Sequence, residues 1–266
     1  MLSVSCVFIF LCLYNSDNKK ERNIAIAALA LAAGIKVYPA LFAIFYFKKR
    51  QIKELVSCAI LSILFAFLPF LFFKGGFSNI PLMLQSSAEY SASVLGKVPL
   101  STTSIYDQGA RLFPNSSLFS LSLEQVKFIT ILICFVSVVL ALFEKCDWRK
   151  LTLTTMATLY VFNVAYTWQA IVMFASITLF FATIKTRKTA YNIFVFIIFI
   201  IILNPYLINI KDLLDKHNIH ADAFLLNYPL VNVAMLLLWL SVIIGSAANV
   251  LRCIRARELT IWERRS

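Results

Sequence analysis

Few side chains in this 266-residue chain have the type and setting to do chemistry. Lys36 stands in Gly34-Ile35-Lys36-Val37-Tyr38-Pro39, inside an otherwise apolar run. A charge in such a segment is costly and therefore a functional candidate. Its ammonium could pair with a lipid phosphate, helped by N–H groups freed at a broken helix. Equally, it could snorkel to the headgroups or mark topology. Arg111 lies in Ser101-Thr102-Thr103-Ser104-Ile105-Tyr106-Asp107-Gln108-Gly109-Ala110-Arg111-Leu112-Phe113. A guanidinium grips phosphate bidentately. Neighbouring hydroxyls, the Gln108 amide and aromatic faces suit a sugar. The plainer reading of Arg111 is an (i, i+4) ion pair with Asp107.

General-base chemistry needs a carboxylate within hydrogen-bond reach of the acceptor hydroxyl. Glu89, Asp107, Glu124, Asp212, Asp215 and Asp222 are available, with Asp107 and Glu89 as the catalytic candidates. None sits in a diagnostic motif. His217 and His220 are the only histidines. With the nearby aspartates they could form an N/O metal site, the spacing placing both on one helical face. The full H-E-x-x-H pattern is missing. No phosphate-binding loop, dinucleotide fingerprint, nucleophile elbow or kinase signature occurs. No organic cofactor is implied, and a divalent metal is the one addition the histidines leave open. The six cysteines are scattered, without a C-x-x-C pair, and read as small core hydrophobes.

These residues must be held by membrane helices. Hydrophobic residues make up 61% of the chain and charged ones 14%, with a mean hydropathy of +0.82. Ordinary soluble domains are about 45–50% apolar and about 25% charged. The net charge of +12 lies between apolar stretches. It therefore reports topology and contact with anionic lipid, not a nucleic-acid partner. Leu2–Tyr14 is apolar but has neither a preceding basic segment nor a cleavage site, so it reads as a span and not a signal peptide.

Uncharged runs place spans over Leu55–Phe73, Phe128–Phe143, Thr189–Ile210 and Ala223–Leu251. The uncharged run Leu151–Ile184 would be roughly 51 Å long as one helix. It would also put Lys145/Arg149/Lys150 and Lys185/Arg187/Lys188 on opposite sides, against the positive-inside rule. A hairpin turning near 163–169 keeps both clusters inside. Asn23–Phe47 permits two readings. One is a hairpin with Lys36 at its outer apex; the other is a single helix kinked at Gly34 and Pro39. The hairpin keeps Lys19/Lys20/Arg22 and Lys48/Lys49/Arg50/Lys53 together. The expected architecture is all-α: one transmembrane domain over 1–266, with about nine passes and two short hairpins. Outer loops fall at about 74–127 and 211–228, and the basic tail 252–266 lies in the cytoplasm.

Three stretches carry a resemblance. Ala27–Phe47 joins an Ala-rich helix, Lys36-x-x-Pro39, an apolar run and the basic stop Lys48-Lys49-Arg50. Thr103-Ser104-Ile105 leads on to Ala110-Arg111-Leu112-Phe113. Tyr166-Thr167-Trp168-Gln169 sits at a hairpin turn. In these the sequence resembles glycosyltransferase family 87, the bacterial polyprenyl-phosphate-mannose-dependent mannosyltransferases with a GT-C membrane fold. The resemblance implies a multi-pass protein of a bacterial inner membrane. It implies transfer of a hexose, mannose first, from a polyprenyl-phosphate donor to a lipid or glycan acceptor on the outer face. Lys36 and Arg111 would then hold donor phosphate, and Tyr38, Gln108, Tyr166, Trp168 and Gln169 would contact sugar or lipid. Where the family often has a His after the Trp, this chain has Gln169. The catalytic carboxylate usual in the first outer loop is also missing. The chain therefore reads as the C-terminal two-thirds of such an enzyme, with a partner chain supplying the rest as one option. An inactive membrane subunit and a lipid-linked-sugar transporter, which also uses broken helices, are the competing readings.

Overall fold

The computed structural model describes residues 2–48, 51–93, 101–161, 172–183, 189–203 and 223–263. Among the described residues the architecture is all-α, as the composition requires in a medium where backbone groups must pair within their own segment. Helix α1 covers Leu2–Leu13 and α2 Lys19–Ile35. A 3₁₀ segment, Tyr38–Ala43, leads into α3, Ile44–Lys48. Helix α4, Ile52–Phe67, is extended by a 3₁₀ turn over Leu68–Leu71. Two helices of the Ser/Thr-rich connection follow, α5 (Ile80–Ser93) and α6 (Thr102–Leu112). The remainder are α7 (Leu123–Phe143), α8 (Asp147–Tyr160), α9 (Met173–Thr183), α10 (Ala190–Leu203) and α11 (Ala223–Glu263).

Among the described residues three helical stretches are long and apolar enough to cross a bilayer: Ile52–Leu71, Leu123–Phe143 and Val231–Arg252. Leu2–Leu13, Tyr38–Phe47, Met173–Thr183 and Ala190–Ile202 are shorter apolar helices. Large apolar side chains such as Ile60, Ile63, Leu64, Phe128 and Phe135 remain exposed along the long spans. In water that belt would aggregate; facing acyl chains it is the expected surface.

Local sequence sets the boundaries. Asn18 caps α2 by accepting the Lys20 N–H at 3.0 Å. Helix α7 begins at a capping box: the Ser122 hydroxyl accepts the Gln125 N–H, and the Gln125 side chain accepts the Ser122 N–H. It therefore starts five residues before the uncharged run at Phe128, carrying Glu124 and Lys127 in its first turns.

Both proposed turning points resolve as hairpins. Helix α2 ends at Lys36, whose backbone is extended (φ −144°, ψ 125°). The chain then runs back beside α1. Ser3 at the start of α1 donates to the Ala32 carbonyl near the end of α2, and Ser3, Val4 and Val7 face Tyr38, Pro39 and Phe42. Farther along, Phe10 packs on Tyr46 (5.4 Å between ring centroids) and Tyr14 on Phe45 (5.3 Å). A single kinked helix is thereby excluded. In the second hairpin, Trp148 at the start of α8 meets Phe180 near the end of α9 edge to face, at 5.0 Å. Thr158 and Leu159 near the end of α8 share a cleft with Val172 just before α9. The turn itself, 162–171, lies outside the described residues.

One end of the bundle consequently gathers Lys36, Tyr38 and Ser101. The other gathers Arg22, Lys53, Lys145, Arg149 and Lys150. At this basic end Lys150 is buried, paired with Asp147 at 2.8 Å and set over the Phe45 ring at 5.1 Å. Arg149 lies over the Trp148 and Tyr191 rings, at 5.6 and 5.5 Å. Burial pushes the Cys146 thiol above its usual range, which suits a packing role better than a reactive one.

The tightest joint is between α2 and α4. A Cβ on Gly34 would stand 2.6 Å from the Phe65 Cβ and 3.1 Å from the Ala66 nitrogen, so the two helices meet there almost backbone to backbone. Gly34→Ala is expected to destabilise the protein by about 1–3 kcal/mol, the range for overpacking, and Gly34→Leu by more. Chemical unfolding in detergent measures this; wild-type stability in both variants would contradict the close approach.

Candidate functional site

The Lys36 end is built around the break between α2 and its return arm. Lys36 N–H still closes the helix on the Ala32 carbonyl at 3.0 Å, whereas Val37 turns back into helical geometry and Pro39 stands second in the 3₁₀ segment. Pro there is tolerated because first-turn N–H groups have no intrahelical partner. The half-buried Lys36 reaches over the ring of Tyr38, its Nζ 5.6 Å from the centroid. Tyr38 in turn lines a narrow apolar cleft between α1, the return arm and α8, together with Phe42, Thr155 and Leu159. A cation over that ring and the hydrocarbon walls of the cleft form an amphiphilic pair of surfaces.

A second polar group stands at the same end. Ser101, Thr103 and Ser104, which open α6, are all buried. The Ser101 hydroxyl accepts the Ser104 N–H at 2.9 Å and caps α6. Asn232 of α11 donates its amide to the Ser101 carbonyl at 2.8 Å and accepts from the Tyr160 hydroxyl of α8. Tyr160 stacks on Trp239, whose indole N–H donates to Ser137 of α7 at 2.8 Å. Thus α6 is fastened to α7, α8 and α11 through buried, mutually satisfied groups. On its outer side, the Tyr106 hydroxyl accepts the Leu121 N–H at 2.6 Å and its ring packs on Phe119.

Other residues singled out from the sequence are placed as follows. Arg111 is largely exposed and forms an ion pair with Asp107 at 2.9 Å, the (i, i+4) contact the spacing foresaw. Gln108 donates to Ser104 at 3.3 Å. Glu89 is exposed and accepts from Gln85 at 2.8 Å. Lys36 and Tyr38 come together at the break; Asp107, Gln108 and Arg111 come together on α6. The two groups ride on different elements: α6 packs chiefly on α7, α11 and the 117–119 turn, and the Lys36 arm chiefly on α2 and α8. Tyr166, Trp168, Gln169, His217 and His220 lie outside the described residues. Among the described residues no cluster of metal-ligating side chains occurs.

Two members of the buried network escaped attention in the sequence. Asn232 is a polar residue inside the apolar run Ala223–Leu251, a signal by itself. Tyr160 has the same standing within Leu151–Ile184. Asn232 joins Ser101 and Tyr160 across separations of 131 and 72 residues, which spacing does not reveal.

Short hairpins and long apolar spans mark an integral-membrane protein. Glycosyltransferase family 87 matches over residues 1–143, more than half of the chain, and the matched part includes the Lys36 hairpin and all of α6. The chain belongs to this family, which makes it a membrane glycosyltransferase. No curated protein and no solved structure matches it.

Asn232→Leu removes the amide hydrogen bond to the Ser101 carbonyl and the acceptor of the buried Tyr160 hydroxyl, a loss of about 1–3 kcal/mol. Hydrogen exchange over 101–112 is expected to accelerate in that variant; unchanged exchange would deny the fastening. Arg111→Ala is expected to cost less than about 1 kcal/mol in unfolding, as exposed ion pairs do.

Proposed function

We propose that this chain transfers a hexose, mannose first, from a polyprenyl-phosphate donor to a lipid or glycan acceptor. The basic end and the C-terminus would lie in the cytoplasm of a bacterium, and the Lys36 end would face outward from the inner membrane. The observation that carries the reading is the break at Lys36, which sets an ammonium over the ring of Tyr38, itself part of the wall of a narrow apolar cleft. A polyprenyl-phosphate sugar has the matching form: a hydrocarbon tail, an anionic phosphate and a polar sugar.

In the reaction an acceptor hydroxyl oxygen attacks the anomeric carbon. The bond from that carbon to the phosphate oxygen breaks, and the hydroxyl proton passes to a base. The leaving polyprenyl phosphate gains one negative charge. Lys36 is assigned to that developing charge, the kind of term that dominates when the donor group is already in position. Asp107 and Glu89 are the carboxylates at this end assigned as candidate bases. Arg111, paired to Asp107, could exchange its partner for donor phosphate. Tyr38 and Gln108 would pack against or hydrogen-bond the donor.

The test is sugar transfer from a radiolabelled polyprenyl-phosphate mannose in detergent, where transport across a membrane has no meaning. Lys36→Ala is expected to lower kcat about 10²–10³-fold, the cost of removing one electrostatic stabiliser, and Lys36→Arg to restore part of it. A Lys36→Ala enzyme with the wild-type rate would overturn the assignment. Accumulation of donor on the opposite leaflet of vesicles, without transfer, would favour a transporter instead.

A further inference from the structure

The geometry points to a second membrane contact: we propose that helix α5 lies in the plane of the bilayer surface, its apolar stripe in the headgroup–acyl boundary. The argument starts where the span Ile52–Leu71 ends. Gly75 and Gly76 take positive φ (96° and 55°) and reverse the chain. Phe77 then packs back on Phe70 and Phe67, with centroids 6.2 and 6.3 Å away. Residues 67–70 belong to the last turns of a lipid-facing span, so Phe77 stands at the depth of its end. Helix α5 starts three residues later, at the edge of the hydrocarbon.

From there α5 has no buried residue, and its chief neighbour is its own lead-in turn, Gly76–Asn79. Ile80, Met83, Leu84 and Ala88 recur at helical spacing along one side, with Ser87 and Ser91 between them. Gln85 and Glu89 occupy the opposite side, joined by a 2.8 Å hydrogen bond. Leu82 alone among the large apolar side chains falls on that polar side. Met83 and Leu84 are 47% and 60% exposed, with Leu71 and Phe72 exposed beside the span end. The stripe thus continues the apolar belt of the spans, and lipid is the occupant that this continuity selects. A helix of this kind lies about 5–10 Å into the boundary, polar side toward water. Tyr90, a residue suited to that depth, is carried along it. The contact would fix the level of α5, and with it Glu89, against the bilayer.

The experiment places single cysteines at Met83, Leu84, Gln85 and Glu89 and reconstitutes each full chain in phosphatidylethanolamine–phosphatidylglycerol vesicles. All four sites are exposed, so packing is left intact. Labelling by a membrane-impermeant maleimide is followed, with the rate of the unsubstituted chain subtracted. Gln85→Cys and Glu89→Cys are expected to react about tenfold faster than Met83→Cys and Leu84→Cys, because the latter pair is immersed. Equal rates at all four positions would overturn the proposal. So would protection of Met83→Cys and Leu84→Cys in native membranes that disappears in the vesicles, which would assign the stripe to a protein partner.

Discussion

Inside the hydrocarbon no water is available to pair a loosened N–H or C=O, so a helix in this chain has to break at the bilayer edge or among its own protein neighbours. That constraint orders the structure. The break at Lys36, the glycine reversal at 75–76 and the sharp corner at 144–146 all fall at ends of the bundle. Between them the helices keep their backbone bonds to themselves. Polar side chains in the interior are tied down similarly: Ser62, Thr130, Ser137, Thr152, Thr154 and Thr158 each donate to a carbonyl four residues earlier. At the Lys36 end Asn232, Tyr160 and Ser101 are joined across distant segments instead.

The joint at Gly34 turns this rule into a shape. Parallel helices α2 and α4 touch near the Lys36 end, with the return arm of 38–48 threaded beside α1. Contact that close needs a residue without a Cβ, and it lies two positions before the break. The residue that allows the helices to meet and the residue that ends α2 therefore belong to one local device. Lys36 is positioned by the tightest packing in this part of the molecule, even though its own side chain is only half buried.

Much of this was legible in the residues. Gly34, Lys36 and Pro39 announced a break, and the charge clusters on either side favoured a hairpin over a kink, because basic residues collect on one side of a membrane; the packing of the return arm on α1 decided it. The same reasoning resolved Leu151–Ile184 into two helices. Asp107 and Arg111 paired as their spacing foresaw. Boundaries were less legible where charge was used as the stop signal: α7 enters through Glu124 and Lys127, which its capping box accommodates at Ser122 and Gln125. The polar connection of 74–127 gave no sign of how much helix it holds, since α5 and α6 lack the long apolar runs that mark spans. The fastening of α6 by Asn232 depends on contacts between distant segments, and spacing carries no trace of them. At the site itself, the sequence brought forward Lys36 first and Arg111 with it as phosphate contacts, whereas the structure seats them on different sets of helices.

The shortness of the return arm has a consequence for how the protein is made. Tyr38–Phe47 is a ten-residue apolar segment, about half of what a helix needs to enter a bilayer by itself. Emerging alone from the ribosome, it has too little apolar surface to be accepted as a span. Helix α2 must therefore wait at the insertion machinery until its return arm is synthesised, and the two enter together as a preformed loop. Entry as a pair keeps the basic residues of both flanks on one side of the membrane. Biogenesis of this region is a paired event, and the unit of insertion is the hairpin.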